Sequence, residues 1–598
     1  MSSRGDFSVN GRLAYLMISA VVLGAAAAIA AVILIDLINF FTNLFFYGKI
    51  SIDVVTPTDH HLGLWVIGVP AVGGLIIGLM ARYGSDKIRG HGIPEALEAI
   101  LFGKSLMSPK VALLKPLSSA ISIGSGGPFG AEGPIIMTGG AIGSLFSQLF
   151  AFSSSERKVL LVAGAAAGMS AVFASPIAAI LLAVELMLFE MKPRSLIPVA
   201  IASITAYAMR PYLLGSGPVF PVSAHATVDW VGILSSCAVG LIAGLFSAGT
   251  SNFLYKVEDL FLRLPFHWMW WCVIGGLVVG IGGYFQPRAL GVGYDVIDSL
   301  LNSNFAVKAA LTLLIVKAFI WVVSLGSGTS GGVLAPLLMM GCGLGVVEEL
   351  FLPGQLKALY PLISMAAVMG GMMRAPFTAT MFAFELTHNT DATVPTFVAT
   401  IVAYTVTVII MKRSILTEKI ARRGFDIFRE YSVDPTEMVP VQNMMTQKVI
   451  TIPEHLPIKN VMEQYFQKAK HRGFPVVDKS GQVIGMVTMT DIIDAVSHGA
   501  SEEERAGDLF RKPVECVLTG ESCRSVTEKM AHLGVGRVPV LNREEPHQLV
   551  GIITRSDLLR ARSEQYEVEN RREHFIRPWK QKHLRDALGK KNLASSSR

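Results

Sequence analysis

Apolar residues dominate the chain from about 12 to 412 in long runs. They lie at Leu13–Ile35 and at about 62–82, 111–123, 135–152, 159–188, 194–211, 231–256, 268–285, 306–325, 336–351, 361–386 and 393–411. A helix rises 1.5 Å per residue, so about 20 apolar residues cross a ~30 Å hydrocarbon core. Several runs are too short to cross, and others are long enough to hold a broken pair of helices. That mixture predicts half-helices and tilted helices around a buried pathway, where a bundle of simple spans would show uniform lengths. The first run is too long for a cleaved signal peptide and reads as a retained membrane helix.

From about Val439 the pattern becomes that of a soluble protein. It predicts a strand at Val449–Thr451, a helix over Ile458–Ala469, strands at Phe474–Val477 and Val483–Thr488, and a helix from Asp491. The order recurs at Val538–Leu541, Val550–Thr554 and Asp557, so that a strand–GxxTxxD–helix element returns 66 residues on, from Asp491 to Asp557. The expected organisation is an N-terminal segment 1–11, a membrane domain 12–430, two α/β units at 438–497 and 512–563, and a basic tail 564–598. Lys412, Arg413, Lys419, Arg422 and Arg423 follow the last apolar run and favour a cytoplasmic exit.

Within the apolar region, Gly124–Pro134 reads GSGGPFGAEGP, a glycine- and proline-rich run with one carboxylate, Glu132. Gly133–Pro134 reads as a helix opening, and a helix N-terminus favours anions. Irregular backbone at membrane depth survives only where protein buries it or water lines it. A twin, GSGTSGGVLAP, runs from Gly326 to Pro336, 202 residues downstream. Pro176 with Glu185–Leu186 is echoed by Pro376 with Glu385–Leu386, and Gly90–x–Gly92 by Gly291–x–Gly293. The chain therefore contains an internal repeat, with a binding site expected between its halves.

Gly90-His91-Gly92-Ile93-Pro94, Gly130-Ala131-Glu132-Gly133-Pro134 and Gly332-Val333-Leu334-Ala335-Pro336 resemble the GSGIP, GREGP and GIFAP motifs of the CLC chloride channels and proton/chloride exchangers. The GMVTMTD and GIITRSD elements resemble a pair of CBS domains. The resemblance implies an α-helical multi-pass membrane domain of two inverted repeats, followed by a cytoplasmic α/β tandem CBS module. It implies an anion pathway in each subunit of a homodimer, set in lipid at the cell (inner) membrane. It makes Glu132 the gating glutamate. His91, Gly92, Ile93, Val333 and Leu334 then line the anion site, with His91 in place of the usual serine. Leu416 stands where the family's inner-gate tyrosine falls, and Leu186 where exchangers often carry a second glutamate. These two leucines favour channel-like or weakly proton-coupled chloride transport over tight proton/chloride antiport, with protons left open as a second transported species. In the CBS pair, Thr488, Asp491, Thr554, Asp557 and Ile450 are the candidate contacts for a regulatory adenine nucleotide (ATP, ADP or AMP). No cofactor is required. Glu185 and Glu385 read as buried acids hydrogen-bonded to loop backbone, and Met365–Met381 as packing.

Composition agrees. Hydrophobic residues make up 51% of the 598 and charged residues only 16%, against a usual ~25%. The net charge of +7 fits cytoplasmic Lys and Arg, and no basic domain with interleaved aromatics suggests nucleic acid. The five cysteines show no CxxC spacing, which argues against structural zinc and a disulfide framework. A CBS-regulated magnesium channel would need several acids to ligate a hard cation, and the membrane acids are few. An intramembrane enzyme is disfavoured because HExxH is absent and Ser125 and Ser327 sit in equivalent loops.

Overall fold

The computed structural model describes residues 12–423 and 439–560, apart from 102, 104, 151, 189–190, 303–304, 469–470, 502, 510–513, 543 and 546–547. The N-terminal segment, the end of the helix expected to reach Ala469, and the basic tail lie outside the described residues. The chain divides into two compact units, Met1–Glu430 and Tyr431–Arg598.

The first unit is helical: α1 (Arg12–Thr42), α2 (Gly68–Tyr83), α3 (Ile93–Leu101), α4 (Pro109–Gly124), α5 (Glu132–Leu149), α6 (Ser154–Phe173), α7 (Pro176–Leu182), α8 (Pro193–Leu213), α9 (Trp230–Leu262), α10 (Trp271–Phe285), α11 (Tyr294–Leu301), α12 (Val307–Gly326), α13 (Leu334–Glu348), α14 (Tyr360–Met373), α15 (Pro376–Thr387), α16 (Thr393–Ile410) and α17 (Ile415–Arg422). Among the described residues, 7 helices are long and apolar enough to cross a membrane. The apolar runs 159–188 and 361–386 are each broken pairs. The breaks fall at Ala174 (φ 55°) and Arg374 (φ 58°), and Pro176 and Pro376 restart the next helix. Helix α6 is buried along Val159–Phe173 and α14 along Tyr360–Met373, as expected of helices that are apolar all round.

The two halves are inverted repeats, and their contacts are reciprocal. Gly130 and Gly332 are equivalent positions that pair with each other as an antiparallel bridge. The Gly130 N–H donates to the Gly332 carbonyl at 3.3 Å and the Gly332 N–H to the Gly130 carbonyl at 2.9 Å. Farther out, the Gly90 N–H donates to the Gly328 carbonyl (3.3 Å), and the Gly291 N–H to the Gly126 carbonyl (3.1 Å). A local two-fold axis therefore runs through the Gly130–Gly332 bridge. Helices α2 and α10 touch backbone to backbone across it: a Cβ on Gly74 would stand 2.2 Å from the Cys272 carbonyl, and one on Gly276 2.3 Å from the Pro70 carbonyl. Glu185 accepts from the Thr378 N–H (2.8 Å) at the start of α15, while Glu385 accepts from the Ile177 (2.9 Å) and Ala178 (2.8 Å) N–H groups at the start of α7. Each acid thus closes a helix N-terminus of the other repeat. The partner is a helix start, which the loop-backbone reading of these acids did not foresee.

Helix α5 starts at Glu132, ahead of the expected Gly133–Pro134 opening. Pro134 is accommodated because the first four N–H groups of a helix have no intrahelical partner. Of the basic residues after the last long span, Lys419 and Arg422 lie in α17, where ion pairs join Arg422 to Asp259 (2.6 Å) and Lys419 to Glu95 (3.3 Å).

The second unit holds two three-stranded sheets of one plan. In the first, β1 (Ile452–Pro453) pairs parallel with β2 (Gly473–Val477), which pairs antiparallel with β3 (Val483–Thr488). In the second, β4 (Val517–Leu518), β5 (Arg537–Leu541) and β6 (Leu549–Thr554) repeat the order, with an irregularity at Val540/Leu541 matching the one at Val476/Val477. The strand expected at Val449–Thr451 lies one step later, at Ile452–Pro453, because only there does the backbone pair with Val476 and Val477. Strand β4 and the helix Cys523–Leu533 complete the second half.

Candidate functional site

Glu132 opens α5 and has no exposed surface. Its Oε1 accepts the N–H of Ala335 at 2.7 Å, in the first turn of α13, and its Oε2 is buried without a partner. A Cβ on Gly130 would stand 2.0 Å from Oε2, and one on Gly332 2.5 Å from it. The bridged glycines therefore form the slot that admits the carboxylate. The carboxylate sits where the positive end of a 15-residue helix presents its N–H groups, the place such a helix offers to an anion. Val333 precedes α13, Leu334 opens it, and both are fully buried. The N–H actually taken is that of Ala335, the next residue.

His91 is buried, and its Nδ1 lacks a hydrogen-bond partner. Its carbonyl packs on Gly133, where a Cβ would come within 2.0 Å of the oxygen. Gly92 turns with φ +90° and Ile93 opens α3. The Gly92 N–H donates to Glu95 Oε2 at 3.0 Å, so a side chain of the adjoining helix holds it.

Three charged residues were missed in the sequence. Glu95 binds Arg423 (2.9 Å) as well as Lys419 and Gly92, and its three-residue spacing from Gly92 is that of a helix-start acid. Lys115 has no exposed surface and donates to the carbonyls of Ile88 (2.8 Å) and Gly90 (2.7 Å) and to Ser330 Oγ (3.0 Å). Lys317, 202 residues later, donates to the carbonyls of Ala289 (3.0 Å) and Gly291 (2.9 Å). Each lysine pins the glycine loop of its own repeat. Their common spacing inside apolar runs was the available signal.

Leu416 is the second residue of α17 and Leu186 lies in a π-helical turn, Ala183–Leu188; both are fully buried. Two cavities flank the axis. One of about 610 Å³ is lined by Arg89, Glu95, Glu98, Trp271, Lys419 and Arg423, next to the His91 loop. The other, of about 230 Å³, is lined by Asp59, Arg288, Asp295, Ser299 and Phe305. Lys87 and Glu98 of the first correspond through the repeat to Arg288 and Ser299 of the second.

In the second unit, Thr488 caps the helix Met489–Ser497, and Asp491 Oδ2 accepts the Thr488 N–H (2.8 Å) and Oγ1 (2.6 Å). Asp557 Oδ2 does the same for Thr554, at 2.9 and 2.7 Å. The threonines are thus the N-caps and the aspartates complete capping boxes. Arg537, paired with Thr554 in the sheet, donates to the Gly473 carbonyl (3.3 Å), and Gly473 pairs with Thr488. It therefore lies between the two boxes. At the far end of the hairpins, a cleft of about 590 Å³ is lined by Val449, Thr451, Val477, Ser480, Gln482 and Glu545. Ile450 lies between two of these lining residues and is half exposed. The four capping residues do not line this cleft. Asp478 beside it is held below the usual carboxylate range by hydrogen bonds from Ser480 and Gln482.

Comparison with known proteins follows the same division. The family model described as voltage gated chloride channel matches residues 73–408, and the CBS domain model matches 441–498 and 506–564. A putative chloride channel protein ClcB-like from Ralstonia nicotianae is 27% identical over 386 residues, covering 63% of this chain and 90% of the relative. An H(+)/Cl(-) exchange transporter ClcA from Salmonella arizonae is 28% identical over 364 residues, covering 57% and 76%. Among solved structures, a slow cyanobacterial Cl-/H+ antiporter superposes with a TM-score of 0.62 at 22% identity, over 70% of this chain and 99% of the other, which shows the shared fold. The chain is a multi-pass integral membrane protein of the voltage gated chloride channel (CLC) family, whose members transport ions and are not enzymes, with two CBS domains after its membrane unit.

Proposed function

We propose that this protein moves chloride, in channel-like or weakly proton-coupled fashion, through a path gated by Glu132. The observation that carries the reading is the Glu132 carboxylate held on the Ala335 N–H at the start of α13, in a slot walled by Gly130 and Gly332. A carboxylate there stands in for the anion. Protonation cancels its charge, releases it from the helix end and frees the place for chloride. His91, Ile93, Val333 and Leu334 line the approach, and Leu416 closes the inner side by bulk. The larger cavity, with Lys419 and Arg423, faces the cytoplasm in this reading, in keeping with the positive-inside bias. The membrane is the cell (inner) membrane and the working unit a homodimer.

The CBS pair senses an adenine nucleotide at the end where Arg537 lies between the Thr488–Asp491 and Thr554–Asp557 boxes. Arg537 supplies charge for phosphate and the aspartates accept from ribose hydroxyls. The opposite cleft, with Glu545 and the ionised Asp478 at its edge and no Lys or Arg among the described residues that line it, is poorly suited to a polyphosphate. Tight proton/chloride antiport is the second reading, favoured by the likeness to a protein named as an exchange transporter. The test of the gate is chloride efflux from proteoliposomes. Glu132→Gln mimics the protonated acid and should keep flux while losing its rise on acidification. Wild-type pH dependence persisting in the variant removes Glu132 from the role.

A further inference from the structure

Once released, the Glu132 side chain needs somewhere to go. Its Oε2 has no partner in the slot, and the hydroxyl of Tyr294 is likewise buried without a hydrogen-bond partner, as are His91 Nδ1 and Ser122 Oγ. Tyr294 opens α11 directly after Gly293 and is the repeat counterpart of Ile93 after Gly92. On the first side of the axis, Gly92 packs on Gly133, with a Cβ there 3.0 Å from the Gly133 carbonyl. On the other side a Cβ on Gly293 would stand 2.1 Å from the Met339 Cε, so the Gly293 loop also packs on α13, the helix whose first turn binds Glu132, though on a side chain one turn further along. Glu132 is the charged group within electrostatic reach of the Tyr294 hydroxyl. The Tyr294 ring is fixed edge-on against Phe173 (6.3 Å between centroids, 81°) and Phe220 (5.7 Å, 65°). Its neighbour Asp295 lines the smaller cavity, on the side away from His91. The other titratable groups here are Lys317, whose amine is tied to the carbonyls of Ala289 and Gly291 and feels both Glu132 and Asp295, and Arg288 at the cavity wall.

We propose that Tyr294 is a positioning residue for the gate: its hydroxyl receives the displaced, protonated Glu132 carboxyl and holds it on the side of the smaller cavity while an anion occupies the slot. The proposal rests on Glu132 being the gate. It adds a hydrogen bond present only in the released state, so it favours protonation and release together. Removing the hydroxyl makes release require more acid. A net hydrogen bond of about 1 kcal/mol corresponds to a little under one pH unit, since one unit is about 1.4 kcal/mol.

The experiment is chloride efflux from proteoliposomes containing the full-length protein, titrated with pH, for wild type and Tyr294→Phe. The substitution keeps the ring and its packing, and a melting temperature near wild type checks this. The activation midpoint is expected to move about 0.7 unit more acidic, so that flux at the wild-type midpoint falls about three-fold. In a Glu132→Ala background no carboxyl remains to be held, and flux should lose its dependence on the position-294 hydroxyl. An unchanged midpoint in a pH-dependent Tyr294→Phe protein overturns the proposal. So does an equal fractional loss in both backgrounds, which marks a purely structural tyrosine. Wild-type flux with no pH dependence would instead count against Glu132 as the gate.

Discussion

Gly130 and Gly332 occupy equivalent places, yet a methyl group at each would meet different atoms. At Gly130 a Cβ would fall on the Glu132 carboxyl, 2.0 Å from Oε2 and 2.2 Å from Oε1, the far end of a side chain that can move. At Gly332 it would meet Oε2 and also the Gly130 carbonyl, both at 2.5 Å, and the backbone bridge cannot yield so easily. Gly130→Ala is therefore expected to evict the carboxylate, giving chloride efflux at neutral pH close to that of Glu132→Gln, with little loss of melting temperature. Gly332→Ala is expected to destabilise by about 1–3 kcal/mol, the usual range for overpacking. Efflux assays and thermal melts of both variants check this, and a Gly130→Ala protein with unaltered pH dependence would show that the carboxylate does not need the slot. Glu132 itself was legible in the sequence because it is the single acid in a run of glycine and proline. Glu95, Lys115 and Lys317 were not, because what makes each important is a contact made by folding: Lys115, for instance, reaches Ser330 across 215 residues.

At the scale of elements, the breaks at Ala174–Pro176 and Arg374–Pro376 and the repeat itself were readable, since proline position and spacing are local facts. The exchange of Glu185 and Glu385 between repeats was not readable, because the helix start each acid closes lies about 200 residues away. Hydrogen bonds to a charged acceptor contribute about 1.5–3 kcal/mol, so these two acids tie the halves together firmly. The two Thr–x–x–Asp boxes show the same mixture of local and distant information. Their spacing placed the first helix from Asp491, two residues after its observed start at Met489, while Arg537 between the boxes emerges only when the sheets come together. Asp557→Ala should lower the melting temperature of the unliganded protein, since a lost cap costs about 1 kcal/mol, and should also weaken nucleotide binding. Arg537→Ala touches no cap. It should leave the unliganded melt closer to wild type while losing most of the rise that millimolar ATP, ADP or AMP produces by binding the folded state. Thermal melts with each nucleotide measure both effects. A full ATP-dependent rise in Arg537→Ala would move the phosphate elsewhere, and no rise with any of the three would leave the CBS pair a structural role.

At the scale of the whole molecule, the question is whether proton and anion movements are tied together. Tight exchange needs a titratable route from the cytoplasmic side to Glu132 and an inner barrier that never opens together with the outer one. The position where exchangers often carry their second glutamate is Leu186, buried in the π-helical turn. In the proposed path the inner barrier is Leu416, a fully buried residue that can block by bulk but cannot hold an anion by hydrogen bonding. Four acids face the larger cavity, Asp86, Glu95, Glu98 and Glu258, and the two nearest the His91 loop are engaged: Glu95 is bound by Lys419, Arg423 and the Gly92 N–H, and Glu98 by Arg423. A carboxylate held by two cations gives up its charged state reluctantly and so makes a poor stepping stone for protons. Water threading the cavity could carry protons inward, but it would not enforce a fixed ratio, because nothing then links its movement to occupancy of the anion slot. We therefore expect an imposed chloride gradient to drive little uphill proton movement in proteoliposomes, while chloride flux itself stays acid-activated through Glu132. Simultaneous recording of both fluxes with a chloride electrode and a pH electrode decides the matter: a constant anion-to-proton ratio that does not change with voltage would overturn this expectation and establish the tightly coupled antiporter.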